Sequence, residues 1–149
     1  MGTHYKGTES EIRTLDAFIK LTRAADALNN RLNRHLADAN ITVSQFGTLE
    51  ALYHIGPLNQ RAIGEKILKS GGNITMVIDN LEKSGYVKRK KDPADKRAVL
   101  IELTSQGEEF IKDFFPKHLE KIKEEFAILT EDEKVTLATL CRKLGLQER

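Results

Sequence analysis

Residues 86–103 interrupt a chain whose apolar residues otherwise recur at spacings of three and four. The segment consists of two β-forming stretches, 86–90 and 98–103, on either side of a polar loop that contains a proline. Spacings of three and four are typical of amphipathic helices, whereas alternation of apolar and polar residues is typical of strands. The sequence therefore predicts a mainly α-helical fold with one small β-hairpin.

Six helices are predicted around this hairpin. A hydroxyl residue three positions before Glu or Gln is a capping box, and this spacing occurs at Thr8, Thr42 and Thr130. Asn59 and Thr104 are further candidate caps, because their side chains can accept a hydrogen bond from the first turn. The predicted helices span about 9–38, 43–55, a short stretch after Asn59, 72–84, 104–127, and 130 onwards.

The third and fourth predicted helices are short and are separated by a turn at Gly71 and Gly72. Two short helices joined by a glycine turn are typical of a helix-turn-helix, but also of many other helical hairpins. Here the β-hairpin at about 86–103 follows directly, in the position of a wing. The succession favours a winged helix-turn-helix domain, with the helix-turn-helix at about 59–84.

The long helical segments at about 9–38 and 104–147 carry more apolar residues than a thin winged domain can cover. Excess apolar surface marks a site of association, and twofold pairs are the commonest assemblies. We therefore expect these N- and C-terminal segments to be dimerisation helices of a homodimer, within one domain that spans 9–147. Pro116 is expected to kink the helix that contains it.

The composition is that of a folded single domain, with 149 residues of which 40% are hydrophobic and 31% charged. No apolar run reaches the roughly 20 residues that a membrane span needs, and residues 1–11 lack the apolar stretch of a secretory signal. A single cysteine fits a reducing compartment, so we expect a cytoplasmic protein without membrane contact. Cys141 is interpreted as a small buried hydrophobe in the last helix.

The residues that could carry chemistry form no catalytic or metal-binding pattern. The chain has four histidines, and none has the i, i+4 partner of a helical zinc site. The glycine pair is not followed by the Lys-Ser or Lys-Thr of a phosphate-binding loop. We therefore expect no enzymatic activity, no metal and no cofactor.

The solvent-facing start of the fourth helix is the natural base-reading surface, because an α-helix fits the major groove of DNA. The candidate base-reading or phosphate-binding residues there are Lys69, Ser70, Gly72, Asn73, Thr75, Met76 and Asn80. An asparagine can pair with an adenine edge, and a threonine or methionine can contact a thymine methyl group. In the alternative interpretation, Asn73 only caps the helix and Thr75 is ordinary surface.

Positive charge is concentrated in the hairpin. Residues 83–97 include seven Lys or Arg and two Asp, although the net charge of the whole chain is only +2. Arg97 is expected to enter the minor groove, with Asp95 gripping its guanidinium. The residues expected to neutralise phosphates are Lys88, Arg89, Lys90, Lys91 and Lys96. The alternative is a winged helix that docks on another protein, for which a wing less rich in Lys and Arg would be expected.

Three segments resemble the multiple-antibiotic-resistance regulator (MarR) family of bacterial transcription factors. They are Thr-Met-Val-Ile-Asp-Asn-Leu-Glu-Lys-Ser-Gly at 75–85, Asp-Pro-Ala-Asp-Lys-Arg at 92–97, and Leu-Thr-Ser-Gln-Gly at 103–107. The resemblance implies a dimeric repressor that binds a pseudo-palindromic operator in double-stranded DNA, with Asp95 orienting Arg97.

The same resemblance implies that a small aromatic ligand releases the protein from DNA. The ligand would lie between the dimerisation helices and the winged domain, where the candidate residues are His35, Phe46, His54 and Phe114. Peroxide-sensing members carry a reactive cysteine near the start of the first helix, and this chain has none there. The sequence therefore argues against a thiol sensor.

Overall fold

The computed structural model describes residues 2–67 and 71–148. Within these ranges six helices and three short strands follow one another as α1 (Glu9–Asp38), α2 (Val43–Ile55), β1 (Leu58–Asn59), α3 (Gln60–Ile67), α4 (Gly71–Lys83), β2 (Val87–Lys91), β3 (Val99–Leu103), α5 (Ser105–Phe126) and α6 (Glu131–Leu146). The predicted fold class, mainly helical with a hairpin wing, is confirmed.

Capping side chains define the helix starts. Oγ1 of Thr8 accepts a hydrogen bond from the Glu11 backbone at 3.1 Å, and Oε1 of Glu11 accepts one from the Thr8 backbone at 2.8 Å. The same reciprocal pair is present at the starts of α2 and α6. Because these bonds satisfy N–H groups that have no partner inside the helix, the predicted starts of α1 and α2 coincide with the observed ones.

The three strands form one antiparallel sheet in the order β1-β3-β2. Arg89 of β2 and Leu58 of β1 both lie opposite Ile101 of β3. The hairpin was predicted, but β1 was not, because two residues are too short to show an alternating pattern. Asn59 ends β1 and also caps α3 as predicted, since its Oδ1 accepts from the Ala62 backbone at 2.8 Å.

The core lies beneath α4 and the sheet. Its fully buried side chains are Thr48, Leu49, Ile63, Ile74, Ile78, Leu81, Val87, Ile101 and Ile111. Three of them, Ile74, Ile78 and Leu81, recur at spacings of four and three along α4. One face of α4 is therefore fixed in the core, and the opposite face is left to solvent.

Gly71 and Gly72 are the first two residues of α4 and not a turn before it. The interpretation of this pair as a turn was wrong, and the predicted helix start at 72 was one residue late. Burial of Ile74 and Ile78 outweighs the roughly 1 kcal/mol by which each glycine disfavours a helix. The predicted site residues Lys69 and Ser70 lie outside the described residues.

Thr104 and Gly107 join the start of α5 to the end of α4. Oγ1 of Thr104 donates to the carbonyl of Gly85 at 2.5 Å and accepts from the Gly107 backbone at 3.0 Å. The Thr104 backbone N–H donates to the carbonyl of Tyr86, also at 3.0 Å. A Cβ atom at Gly107 would collide with that Tyr86 carbonyl. The Leu-Thr-x-x-Gly segment thus has a structural reason for its glycine.

α6 is amphipathic but buries none of its residues within the protomer. Leu140 is 58% exposed and Cys141 is exposed, so the predicted burial of Cys141 was wrong for the single chain. Leu119 in α5 is 41% exposed. α5 continues through Pro116, which does not end the helix.

Among the described residues, no helix combines the length and apolarity that crossing a membrane would require.

Candidate nucleic-acid interface

The solvent-facing side of α4 presents the side chains predicted to read bases. Asn73, Thr75, Met76 and Asn80 are all exposed, and Met76 has an exposed fraction of 65%. Gly72 lies in the first turn of the same helix. Because the other side of α4 is anchored in the core, these residues are displayed on a rigid support.

A groove of about 310 Å³ separates this side of α4 from the start of α2. Asn73, Met76 and Asn80 line it from α4, and Thr42, Ser44 and Gln45 line it from α2. The three residues at the start of α2 were not predicted as site residues. The capping box at Thr42 marks a helix start but does not reveal that this start lies beside α4.

α3 contributes two further side chains that the sequence analysis missed. Nε2 of Gln60 donates to Oγ1 of Thr75 at 2.5 Å, so the first residue of α3 contacts the exposed side of α4. The Arg61 side chain is 90% exposed and lies 3.4 Å from Glu65. The signal for both was their position directly after the Asn59 cap, because the first helix of a helix-turn-helix crosses the DNA backbone.

Arg89 braces the wing against α4. Its Nη2 lies 2.6 Å from Oδ1 of Asp79, and its Nη1 lies 2.6 Å from Oε1 of Glu82. The hydrogen bond to Asp79 is the main reason why the pKa of Arg89 is raised. Arg89 was expected to neutralise phosphate, but two carboxylates already match its charge, so its geometry is that of a structural brace.

Lys88 and Lys90 also have a carboxylate partner. Their Nζ atoms lie 3.4 Å and 2.7 Å from the carboxylate of Glu102 on β3. The hydrogen bond from Lys90 is the main cause that lowers the pKa of Glu102. Glu102 therefore offsets part of the positive charge that the sequence assigned to phosphate binding.

The remaining wing cations are Lys91, Lys96 and Arg97. All three are exposed, and none forms an ion pair with the part of the chain that the structure describes. They occupy the end of β2 and the far side of the loop, so the wing cations without an ion-pair partner lie together at the tip of the wing.

Two aspartates shape that tip through backbone contacts. Oδ1 of Asp95 accepts from the Arg97 backbone N–H at 3.0 Å, and Oδ1 of Asp92 accepts from the Ala94 backbone at 2.9 Å. Asp95 was predicted to grip the guanidinium of Arg97, whereas it holds the backbone of that residue. The loop is thereby fixed while the Arg97 side chain stays available.

The comparisons with known proteins identify the family. Residues 41–99 match the sequence profile of the MarR family. The chain is 34% identical to the HTH-type transcriptional regulator MhqR of Bacillus subtilis over 137 residues, which are 92% of this chain and 94% of the relative. The chain belongs to the MarR family of transcriptional regulators.

Solved MarR structures share this fold. Sco3205 of Streptomyces coelicolor, a MarR family regulator crystallised in complex with DNA, superposes with a TM-score of 0.83 at 23% identity over 97% of this chain and 91% of that one. BpsR of Bordetella bronchiseptica, whose DNA binding is regulated by 6-hydroxynicotinic acid, superposes with a TM-score of 0.76 at 25% identity. The match covers 87% of this chain and 98% of that one. The predicted architecture of a MarR chain therefore applies from α1 to α6.

Three of the four aromatic residues predicted for a ligand site lie together. The rings of His35 and Phe114 are stacked with centroids 4.9 Å apart, and Phe46 meets Phe114 edge-on at 5.8 Å. The fourth residue, His54, packs against Phe115, with ring centroids 4.9 Å apart. The cluster joins α1, α2 and α5 of this MarR chain.

His118 completes this cluster and was missed in the sequence analysis. Its Nδ1 lies 3.0 Å from Nδ1 of His35, so one ring donates a hydrogen bond and the other accepts it. His118 is only 4% exposed. Burial is the main cause that lowers the pKa of His118, and the adjacent His35 adds to the effect. The two histidines are 83 residues apart, a separation that hides their pairing from sequence patterns.

Proposed function

We propose that this MarR chain is a homodimeric repressor that binds a pseudo-palindromic operator, with α4 in the major groove and the wing tip in the adjacent minor groove. The observation that carries the proposal is the placement of charge. The first half of α4 carries no charged side chain, whereas Lys91, Lys96 and Arg97 at the wing tip have no carboxylate partner among the described residues. Hydrogen-bonding groups suit base edges, and unmatched cations suit phosphates and the narrow minor groove.

The proposed dimer would form through α1 and α6. An apolar groove of about 680 Å³ lies between them, and its lining includes Phe18, Leu137, Leu140, Cys141 and Leu144. Phe18 is 62% exposed in the single chain. An amphipathic helix with no buried residue gains little from folding unless another chain covers its apolar face. A second copy accounts for this surface and for the exposure of Cys141.

In a twofold dimer both α4 helices must meet the same side of the duplex. The centres of the two operator half-sites must therefore lie about 10 base pairs apart, or a multiple of this distance. Regulation by binding to operator DNA requires no catalysed reaction, so we propose that the chain is not an enzyme. We further propose that it acts in the cytoplasm, where a bacterial chromosome is accessible, and that residues 9–147 act as one domain.

A small aromatic ligand is the proposed release signal. BpsR, which shares this fold, is regulated by an aromatic acid. In this chain His35, Phe46 and Phe114 form a cluster that connects the proposed dimerisation helix α1 to α2 and α5. A ligand that inserts among these rings would shift α1 relative to the winged domain and change the spacing of the two α4 helices.

An unbiased selection of bound duplexes from a random pool tests the proposal. The expected result is a consensus of two inverted half-sites, with two chains bound per duplex. Selection of no consensus, or of a single half-site by a monomer, would contradict it. Equal enrichment of all sequences, together with capture of a partner protein by the wing, would support the protein-docking alternative.

A further inference from the structure

Gln60 and Thr75 link the two helices of the helix-turn-helix through side chains. The amide of Gln60, the first residue of α3, donates to the hydroxyl of Thr75 in α4 at 2.5 Å. Gln60 is half-buried, and Thr75 is exposed, as are Asn73 and Met76 in the same helix. The contact therefore lies at the edge of the surface that faces DNA in the proposed function.

The hydrogen bond restricts the side chain of Thr75. In a helix, threonine divides between two χ1 rotamers, because its hydroxyl can bond to the preceding turn. A donor on a different helix favours the rotamer that directs Oγ1 toward α3, and a fixed χ1 angle also fixes the methyl group. With the hydroxyl engaged by Gln60, the methyl group is the part of Thr75 that remains for a base edge.

We propose that Gln60 is a positioning residue for base recognition, which orients Thr75 so that its methyl group selects thymine at one position of each half-site. The C5 methyl of thymine is the apolar feature of the major groove. Met76, the apolar neighbour on this side of α4, is unbranched and flexible, so it specifies a contact less sharply than a fixed threonine. The proposal rests on the proposed function, since it requires α4 to enter the major groove.

Arg61 provides the matched control. It follows Gln60 in α3, its side chain is 90% exposed, and its charge suits a phosphate. A phosphate contact carries no sequence information, so its loss weakens binding to every duplex alike. A change in base preference in Gln60 variants but not in Arg61→Ala would separate positioning from a general loss of affinity.

The experiment uses the selected operator with each thymine replaced in turn by deoxyuridine, which lacks the C5 methyl group. Binding is titrated for the wild type, Gln60→Ala, Gln60→Met, Thr75→Ser and Arg61→Ala. Gln60→Met keeps a side chain of similar length without a donor and serves as the second variant. Circular dichroism and sedimentation establish that each variant is folded and dimeric.

We expect one deoxyuridine position per half-site to weaken the wild type about fourfold, the effect of removing one buried methyl group. Thr75→Ser should be insensitive to that position, and both Gln60 variants should lose most of the sensitivity. Arg61→Ala should keep it at a lower overall affinity. Full sensitivity in Gln60→Ala and Gln60→Met, or no sensitive position in the wild type, would overturn the role of Gln60. A wild type that selects no consensus would contradict the proposed function itself.

Discussion

The guanidinium of Arg89 bridges the carboxylates of Asp79 and Glu82, with both N–O distances at 2.6 Å, and so ties strand β2 of the wing to helix α4. The two elements that are proposed to enter adjacent grooves are thus held in one orientation. A planar guanidinium can engage two carboxylates at once, which a lysine ammonium does with less geometric control.

Removal of this brace should destabilise the protein and weaken DNA binding together. For Arg89→Ala we expect the free energy of unfolding to fall by about 1–2 kcal/mol, because two partly exposed charge-assisted bonds are lost. Urea denaturation measures this change. Lys91→Ala removes the same charge from the same strand without breaking an ion pair to a described residue, so it should stay within about 0.5 kcal/mol of the wild type. Equal stability of the two variants would argue against the brace.

Arg97→Ala should weaken operator binding and leave folding unchanged. The backbone of Arg97 is held by Asp95, but its side chain is exposed. Loss of a minor-groove arginine should reduce the binding free energy by about 1–3 kcal/mol in a titration at fixed salt. Lys117→Ala is the charge-matched control, because Lys117 lies on α5 beside Asp113. A wing that does not contact DNA would show equal affinities for the two variants.

Gly107→Ala should destabilise the junction between α4 and α5. Its added methyl group would collide with the Tyr86 carbonyl, which also accepts the Thr104 backbone N–H. We expect a loss of about 1–3 kcal/mol in the free energy of unfolding, the usual range for overpacking. Gly145→Ala is the control, because the space around Gly145 is open and alanine favours a helix. Thermal denaturation should therefore show a lower melting temperature for Gly107→Ala only.

Acid should destabilise the protein through His118 before it does so through the carboxylates. Burial and the adjacent His35 lower the pKa of His118 below its ordinary value of about 6.5. Between that ordinary value and the lowered one, the unfolded chain binds the proton more readily. The contribution of His118 to stability is therefore complete above about pH 6.5 and is lost as the pH falls through the lowered pKa.

The comparison with His118→Phe isolates this effect. Phenylalanine can keep the stack with Phe114 but removes both the titration and the hydrogen bond to His35. The lost hydrogen bond lowers the unfolding free energy at every pH, whereas the lost titration makes the difference between wild type and variant change across this pH range. Urea denaturation at closely spaced pH values measures it. A difference that is independent of pH would contradict the assignment to His118.

The sequence predicted the helices well because their signals are local. The Thr8 and Thr42 boxes lie at the helix starts that they define, so α1 and α2 begin at the predicted residues. The two-residue strand β1 could not be recognised locally, since it forms only by pairing with residues 100 and 101. Gly71 and Gly72 were misinterpreted because tertiary burial of α4 overrides their low helix propensity.

The candidate site shows the same division between local and long-range information. The sequence indicated which residues of α4 face outward, because Ile74, Ile78 and Leu81 mark the inward face. The sequence predicted that every wing cation is available to bind phosphate. Their carboxylate partners Asp79, Glu82 and Glu102 belong to neighbouring elements, so the ion pairs could not be recognised. The ion pairs between elements give Arg89 and Lys91 different roles, which their residue types alone do not reveal.

If a twofold dimer places two α4 helices on one side of a duplex, its affinity must depend on the spacing of the two half-sites. The affinity of the wild type is measured for the selected operator and for the same operator with five base pairs inserted at its centre, which turns the half-sites to opposite sides. The inserted duplex should bind much more weakly, at the level of a single half-site. Equal affinity for both duplexes would contradict it.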